Sequence, residues 1–302
     1  MPVKVQLDYR KYLNPEIISR LKNMQLRARL IVEGFISGLH RSPYHGFSVE
    51  FSDYRPYMPG DEIRHIDWKA YGKTNRFYIK QFEEETNLKT YLLLDTSASM
   101  GYTSQKISKL EYASYLAAAL SFLMIEQRDA VGLVRFDQKI RQYLAPRSMP
   151  SYLSEILKSL ENIRPGEKSE SAKTFHEMAE RIHRRGLIIV LSDLLDEPDE
   201  VLSGLKHFRH KHHEVIVFHI LDPMEIHFDF KKNAQFQDLE TNEKLATQPW
   251  HIRAEYRKLM NAFIDNYKRE CRANRIDYVL LESSMSYDRV LLEYLIKRKR
   301  LG

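Results

Sequence analysis

The stretch that decides the fold reads Leu92-Leu-Leu-Asp95-Thr-Ser97-Ala-Ser99-Met-Gly101. Its first part continues an apolar run that starts at Thr90, which is typical of a parallel strand buried on both faces. A helix is predicted over Ile107–Glu126, because its apolar residues recur on one helix face. A second apolar run, Leu187–Leu191, also ends in polar residues. Strands that alternate with helices in this way predict a parallel sheet.

The alternation of strands and helices runs from residue 87 to the end of the chain, so the sequence divides into two regions. Residues 87–302 predict an α/β fold with a doubly wound, mostly parallel sheet and helices on both faces. Within them, residues 226–249 break the rhythm and predict an inserted hairpin. Residues 1–86 differ, with a helix over 15–39 and two strand-like stretches at 47–51 and 77–85. We expect them to form a small N-terminal helix and β domain.

The polar residues at the strand ends form the candidate site. Asp95, Ser97 and Ser99 follow the first buried strand, and Asp193 follows the second. Because ligands of open α/β sheets collect at the carboxyl ends of strands, we expect these side chains to meet at one edge. Carboxylate and hydroxyl oxygens suit a hard cation, Mg²⁺ above all or else Mn²⁺. The alternative interpretation is a strand end followed by an ordinary helix cap.

Composition narrows the class of protein. The chain has 302 residues and a net charge of +6. It has no apolar run near the roughly 18 residues that span a bilayer and no apolar leader, so we expect no transmembrane segment, no signal peptide and a cytoplasmic location. The single cysteine, Cys271, excludes an internal disulfide. The charge permits an acidic partner, but without zinc-finger spacing or an aromatic–basic RNA motif we expect no nucleic-acid partner.

Two stretches resemble known families. The residues around Asp95 resemble the metal-ion-dependent adhesion site of von Willebrand factor A-type domains. The stretch Tyr54-Arg-Pro-Tyr-Met-Pro-Gly60-Asp61-Glu-Ile-Arg64-His-Ile-Asp67-Trp68 resembles the signature of the family called domain of unknown function 58. This family is found beside MoxR-type AAA+ ATPases in bacteria. The resemblance covers residues 15–225 by motif and the remainder by the rhythm of its strands and helices.

The resemblance implies a metal site and a partner. It makes Asp95, Ser97 and Ser99 the first metal loop and Asp193 the later acidic member. The family also has a threonine before the helix that precedes the second strand, and matching that helix puts Ser169 in its place. Two further hydroxyls, those of Ser171 and Thr174, remain possible instead. The open coordination position would accept a carboxylate from a partner protein, which the resemblance identifies as a MoxR-type AAA+ ATPase.

The signature stretch implies a second set of interaction residues. We expect Arg64 or Arg55 to pair with Asp61 or Asp67, because a bidentate Arg–carboxylate pair would orient a turn-rich segment. We also expect Trp68 to bury its ring against the sheet domain. The signature set consists of Arg55, Gly60, Asp61, Arg64, Asp67 and Trp68.

Members of this family are regarded as non-enzymatic binding or chaperone-linked proteins, so we expect no enzyme activity. The alternative is a metal-dependent hydrolase acting on phosphate substrates, in which Asp95 or Asp193 would activate a metal-bound water. A haloacid-dehalogenase phosphotransferase is disfavoured, since it needs a second Asp where Ser97 stands.

Histidines and the cysteine supply the remaining candidates. The run His176-Glu-Met-Ala-Glu180 departs from the H-E-x-x-H zinc pattern, because its fifth residue is Glu. Cys271 lies in a predicted helix without a catalytic partner, and we expect it to be a packing or surface residue. Four histidines before a strand suit either a transition metal or a solvated loop, and the loop is favoured: His207, His210, His212 and His213.

Overall fold

A computed structural model describes residues 14–21, 23–39, 54–56, 71–72, 77–80, 89–161, 163–232, 234–237 and 244–301. Its strands are β1 (Tyr54–Pro56), β2 (Tyr78–Lys80), β3 (Lys89–Asp95), β4 (Ala130–Phe136), β5 (Ile140–Arg147), β6 (Gly186–Ser192), β7 (Glu214–Leu221), β8 (Ala234–Gln237), β9 (Lys244–Thr247) and β10 (Asp277–Glu282). Its α-helices are α1 (Pro15–Ser19), α2 (Met24–Leu39), α3 (Lys109–Glu126), α4 (Pro150–Leu160), α5 (Ser171–Arg181), α6 (Pro198–His210), α7 (Pro223–His227), α8 (Pro249–Ala273) and α9 (Asp288–Leu301).

The central sheet confirms the predicted doubly wound, mostly parallel α/β fold. Its six strands follow the order β10-β7-β6-β3-β4-β5. Neighbouring strands are parallel except β4 and β5, which pair antiparallel at one edge. The chain leaves β3 toward β4 and returns on the other side of β3 with β6. Ligands of such sheets bind outside the strand ends at this reversal, where β3 ends at Asp95 and β6 at Ser192.

Helices cover both faces of the sheet, as predicted. On one face, Leu92 and Leu94 of β3 belong to a core formed with α2, α3, α4 and α9. On the other face, Tyr91 and Leu93 belong to a core formed with α5, α6 and α8. This division follows from the strand period of two, which points successive side chains to opposite faces. Burial on both faces explains why β3 and β6 are almost continuously apolar.

The prediction of a single helix over 15–39 is wrong near its N-terminal end, where α1 ends at Ser19 and α2 begins at Met24. Asn14 caps α1, and its Oδ1 accepts from the N–H of Glu16 at 2.9 Å. Asn23 caps α2 in the same way, accepting from the N–H of Gln25 at 2.7 Å. A second asparagine cap therefore starts a new helix inside the apolar pattern.

Within residues 226–249, where the sequence predicts a hairpin, β8 and β9 pair antiparallel, and α7 precedes them. In the N-terminal region, β1 and β2 form a separate antiparallel pair, and α2 packs into the same core as α3. The strand predicted at 47–51 lies outside the described residues, and the division between residues 86 and 87 stays a prediction. Within the described ranges, no helix combines the length and apolar character needed to cross a bilayer.

Candidate metal centre

The carboxylate of Asp95 is fully buried at the end of β3 and is held by the loop that follows. Its Oδ1 accepts from the N–H of Ser97 at 2.8 Å, and its Oδ2 accepts from the hydroxyl of Ser192 at 2.6 Å. The hydroxyls of Ser97 and Ser99 lie 3.1 Å apart. The structure therefore brings the three predicted loop residues together and adds a hydroxyl from the end of β6.

Among the described residues, the carboxylate of Asp95 has no cationic partner. Burial, and after it the neighbouring carboxylate of Asp193, raise the pKa of Asp95 to about 7. Hydrogen bonds from Ser192 and Ser97 lower this pKa only in part. Within the described part of the chain, no Lys, Arg or His forms a salt bridge with Asp95. A positive charge placed beside this carboxylate would therefore stabilise its ionised form.

Asp193 has a different environment, because it pairs with a buried lysine. The Nζ of Lys109 lies 2.8 Å from Oδ2 of Asp193 and 2.6 Å from Oε1 of Glu225, and the Lys109 side chain is fully buried. Burial by itself would lower the pKa of Lys109, but the two carboxylates raise it above its ordinary value. Lys109 thus stays charged and compensates Asp193 and Glu225. Sequence analysis missed Lys109, since a lysine in a first helical turn is usually solvated.

The same network reaches the helix that precedes the hairpin. Glu225 and Asp222 form the capping box of α7. The carboxylate of Asp222 accepts from the N–H of Ser104 at 2.8 Å and also from the Ser104 hydroxyl. The loop before α3 is therefore bonded to the end of β7, and Lys109 lies between these two elements.

The predicted ligand Ser169 lies beside a carboxylate that sequence analysis did not single out. Its hydroxyl is 2.9 Å from Oδ2 of Asp196 and 2.8 Å from the hydroxyl of Ser171. The N–H of Ser171 donates to the same Asp196 oxygen at 2.8 Å. The hydroxyl of Thr174 is buried without a hydrogen-bond partner among the described residues. Ser169, Ser171 and Thr174 thus all remain candidates for the threonine position.

The segment that carries Ser169 packs directly on the Asp95 loop. The N–H of Gly166 donates to the carbonyl of Thr96 at 2.6 Å, and the N–H of Ala98 donates to the carbonyl of Glu167 at 3.0 Å. A Cβ atom at Gly166 would lie only 2.3 Å from a carboxylate oxygen of Asp137. Glycine therefore lets this segment approach the Asp95 loop closely, and the two backbone hydrogen bonds join the segment to the loop.

The donor set fits a hard divalent cation. The candidate donors are carboxylate and hydroxyl oxygens, which Mg²⁺ and Mn²⁺ prefer. Three carboxylates (Asp95, Asp193 and Glu225) share one ammonium, so the ionised cluster keeps two negative charges that a divalent cation would balance. The described residues contain no group of three or more His, Cys, Asp or Glu placed around one metal position. Serine hydroxyls and water would therefore supply the remaining ligands.

A buried histidine fixes the backbone at Asp193. The Nε2 of His219 lies 2.8 Å from the Asp193 carbonyl, and its Nδ1 lies 2.6 Å from the Tyr278 hydroxyl. A carbonyl only accepts, so Nε2 carries the proton and Nδ1 accepts from Tyr278. Burial lowers the pKa of His219 to about 4. The folded protein therefore holds this ring neutral.

We expect this histidine to make folding sensitive to acid. Between pH 6.5 and pH 4, His219 is protonated in the unfolded chain but stays neutral in the folded chain. The neutral ring therefore makes its full contribution to stability above pH 6.5, and this contribution is lost as the pH falls toward 4. The loss amounts to about 3 kcal/mol over this range. Urea unfolding of the wild type and His219→Gln across this pH range measures it. The wild type should lose more stability than the variant, and parallel pH profiles would refute the assignment.

The side chains of the predicted signature residues lie outside the described part of the structure. Gly60, Asp61, Arg64, Asp67 and Trp68 lie outside the described residues, and Arg55 is described only by its backbone in β1. The expected arginine–carboxylate pair and the expected burial of Trp68 stay predictions.

Comparison with known proteins gives one family and distant relatives. The profile of a family described as "Protein of unknown function DUF58" matches residues 53–263. Uncharacterised proteins of Mycobacterium bovis and Mycobacterium tuberculosis are 23% identical over 231 residues, which cover 76% of this chain and 72% of theirs.

Solved structures with a similar fold are more distant in sequence. A conserved hypothetical protein BatB from Bacteroides thetaiotaomicron is 17% identical, with a TM-score of 0.47 over 70% of this chain and 99% of its own. An aerotolerance-related membrane protein from Bacteroides fragilis is 18% identical, with a TM-score of 0.48 and the same coverage. The VWA domain of SpRpn10 is 10% identical, with a TM-score of 0.38 over 68% of this chain and 94% of its own.

Proposed function

The chain belongs to the DUF58 family of proteins of unknown function, and we propose that it is a non-enzymatic module that binds a partner protein through a divalent cation. The cation would be Mg²⁺ or Mn²⁺, held by Asp95, Ser97 and Ser99, with Asp193 beside them and Ser169 as the further candidate. Such a cation would supply an open coordination position for a carboxylate of the partner. The proposal places the interaction in the cytoplasm.

The uncompensated charge of Asp95 carries this proposal. Asp95 is fully buried, yet the lysine at this edge is bonded to Asp193 and Glu225 instead. The cost of burying a lone carboxylate is several kcal/mol unless a proton or a cation neutralises it. Two serine hydroxyls follow Asp95 on the same loop, which adds the uncharged oxygens that a hard cation prefers.

The open coordination position favours an acidic partner group. Lys109 stays bonded to Asp193 and Glu225, so among the ligands of the loop Asp95 alone is anionic, and a further carboxylate can bind the cation directly. A carboxylate brought by another protein would gain both Coulomb attraction and a ligand bond. Family resemblance supplies the candidate partner, a MoxR-type AAA+ ATPase acting with this chain in chaperone-like assembly or maturation.

The alternative of a metal-dependent phosphate hydrolase is not favoured. Phosphoryl transfer needs cationic side chains that stabilise the charge on the transferred group. Lys109 lies at the same sheet edge as Asp95. However, its side chain is fully buried and forms salt bridges with two carboxylates. It therefore offers no free charge to a phosphate.

Metal binding is the first property to measure. Calorimetric titration of Mn²⁺ into the wild type should show one weak site, and Asp95→Ala should bind about 10- to 100-fold more weakly. The reason is that Asp95 provides a fully buried carboxylate that no described ammonium compensates.

The matched control is Asp229→Ala, which removes a half-exposed carboxylate paired with Arg253. This variant should bind Mn²⁺ like the wild type. Equal Mn²⁺ affinities for Asp95→Ala and the wild type, with both proteins folded by circular dichroism, would disprove the metal assignment.

A further inference from the structure

A pair of histidines joins α5 and α6, two of the helices that cover one face of the sheet. The Nδ1 atoms of His176 and His207 are 2.9 Å apart, and the ring centroids are 5.1 Å apart. The helices approach closely because α6 carries Gly204, where a Cβ atom would lie 2.8 Å from the Cβ of Phe175. Glycine at this contact therefore allows one histidine from each helix to meet the other.

A carboxylate fixes the orientation of one ring. The Nε2 of His207 lies 3.0 Å from Oε1 of Glu180, and the other Glu180 oxygen accepts from Lys211 at 2.8 Å. A carboxylate only accepts, so the Nε2 of His207 carries a proton. In the neutral ring, Nδ1 then presents its lone pair to His176. Histidines that ligate metals usually have this arrangement, with the second nitrogen bonded to a carboxylate.

We propose that His176 and His207 form a binding site for a divalent transition cation of the Cu²⁺ or Ni²⁺ type. Two nitrogens about 2.0 Å from one metal lie about 2.8 Å apart at right angles, and about 3.3 Å apart in a tetrahedron. At 2.9 Å, the separation set by the hydrogen bond between them, the two nitrogens are close enough to bind one metal. Among divalent first-row metals, Cu²⁺ binds imidazole nitrogens most tightly, and Ni²⁺ ranks just below it.

Binding needs one change of protonation within the pair. In the metal-free pair with both rings neutral, the proton on Nε2 of His207 makes Nδ1 of His176 the donor to His207. For both Nδ1 atoms to ligate, this proton moves to Nε2 of the same His176 ring, and none is lost. Water completes the coordination, since no third His, Cys, Asp or Glu among the described residues is placed to join the pair.

This site is chemically distinct from the one at the strand ends. It offers imidazole nitrogens, which suit Cu²⁺ and Ni²⁺, whereas the Asp95 loop offers the oxygens that Mg²⁺ prefers. A bound cation would join α5 to α6. The first of these helices starts at Ser171, whose N–H donates to Asp196, and His176 lies five residues further along the same helix.

The test is a titration of Cu²⁺ into the untagged full chain, followed by calorimetry and electron paramagnetic resonance. We expect one strong equivalent whose spectrum shows two nitrogen ligands. Its affinity should fall at least about tenfold in His176→Ala and in His207→Ala. Glu180→Gln should bind several-fold more weakly while keeping the two-nitrogen spectrum, because Glu180 positions His207 without ligating.

The matched control is His183→Ala, which removes an exposed histidine just after α5. It should leave the strong equivalent unchanged. Retention of that equivalent in the folded His176→Ala and His207→Ala variants would overturn the proposal, since the ion would then be bound by other histidines. A spectrum with one nitrogen ligand in the wild type would overturn it as well.

Discussion

Replacing Lys109 with methionine should cost about 3–5 kcal/mol of folding free energy at neutral pH. Methionine preserves most of the side-chain volume, so the loss comes from the charge. The variant leaves Asp193 and Glu225 without their shared ammonium in a site where the Asp193 side chain is only 1% exposed. The deficit should shrink in acid, because protonation removes the charges that Lys109 compensates.

Urea unfolding at neutral pH measures this effect, and Lys106→Met is the matched control. Lys106 lies in the loop just before α3 and pairs with Glu16, but its side chain is 62% exposed. Exposed pairs contribute about 0–1 kcal/mol, so this control should be nearly as stable as the wild type. Similar losses in the two variants would show that the Lys109 network is not a buried charge cluster.

Removing one hydroxyl of the Asp95 loop should disrupt partner binding without unfolding the chain. Ser97→Ala deletes a hydroxyl that lies 3.1 Å from Ser99, while the N–H of residue 97 can still donate to Asp95. We expect the affinity for a MoxR-type ATPase in Mg²⁺ to fall at least about tenfold, because the cation loses a direct ligand.

The matched control for this variant is Ser154→Ala. Ser154 is exposed on α4, and its hydroxyl donates only to the carbonyl of Ser151. Binding by the control should equal that of the wild type. A Ser97→Ala variant that binds the ATPase with unchanged affinity would place the interface elsewhere on the chain.

The sheet and the Asp95 loop could be predicted because their signals are local. An apolar run that ends in Asp95 can be recognised within ten residues of sequence, and Leu187–Leu191 shows the same pattern before Asp193. The strand order then brings the two ends together, as open parallel sheets generally do. The division of the N-terminal helix was missed, because the cap at Asn23 lies inside a continuing apolar pattern.

The charge network could not be predicted, because its partners are distant in sequence. Lys109 pairs with residues 84 and 116 positions away, and nothing in its neighbours distinguishes it from a solvated helix start. Asp196 lies only three residues after the predicted site residue Asp193. Its role depends on the packing of the segment before α5, which sequence periodicity does not report.

The histidine pair shows the same limit. His176 and Glu180 have helical spacing, so one helix face could be predicted from the sequence. His207 comes from another helix, and its approach depends on Gly204. Sequence analysis grouped His207 instead with its chain neighbours near the end of α6. His176 and His207 form a pair because their helices pack together, and not because they are close in the sequence.

The affinity between this chain and a MoxR-type ATPase from the same organism, measured by fluorescence anisotropy in Mg²⁺ and again in EDTA, tests the central claim most directly. We predict binding in Mg²⁺, loss of binding in EDTA and recovery when Mg²⁺ or Mn²⁺ is restored. Asp95→Ala should bind no better in Mg²⁺ than the wild type does in EDTA. Undiminished wild-type binding in EDTA would contradict the claim that a cation at the Asp95 loop bridges the two proteins.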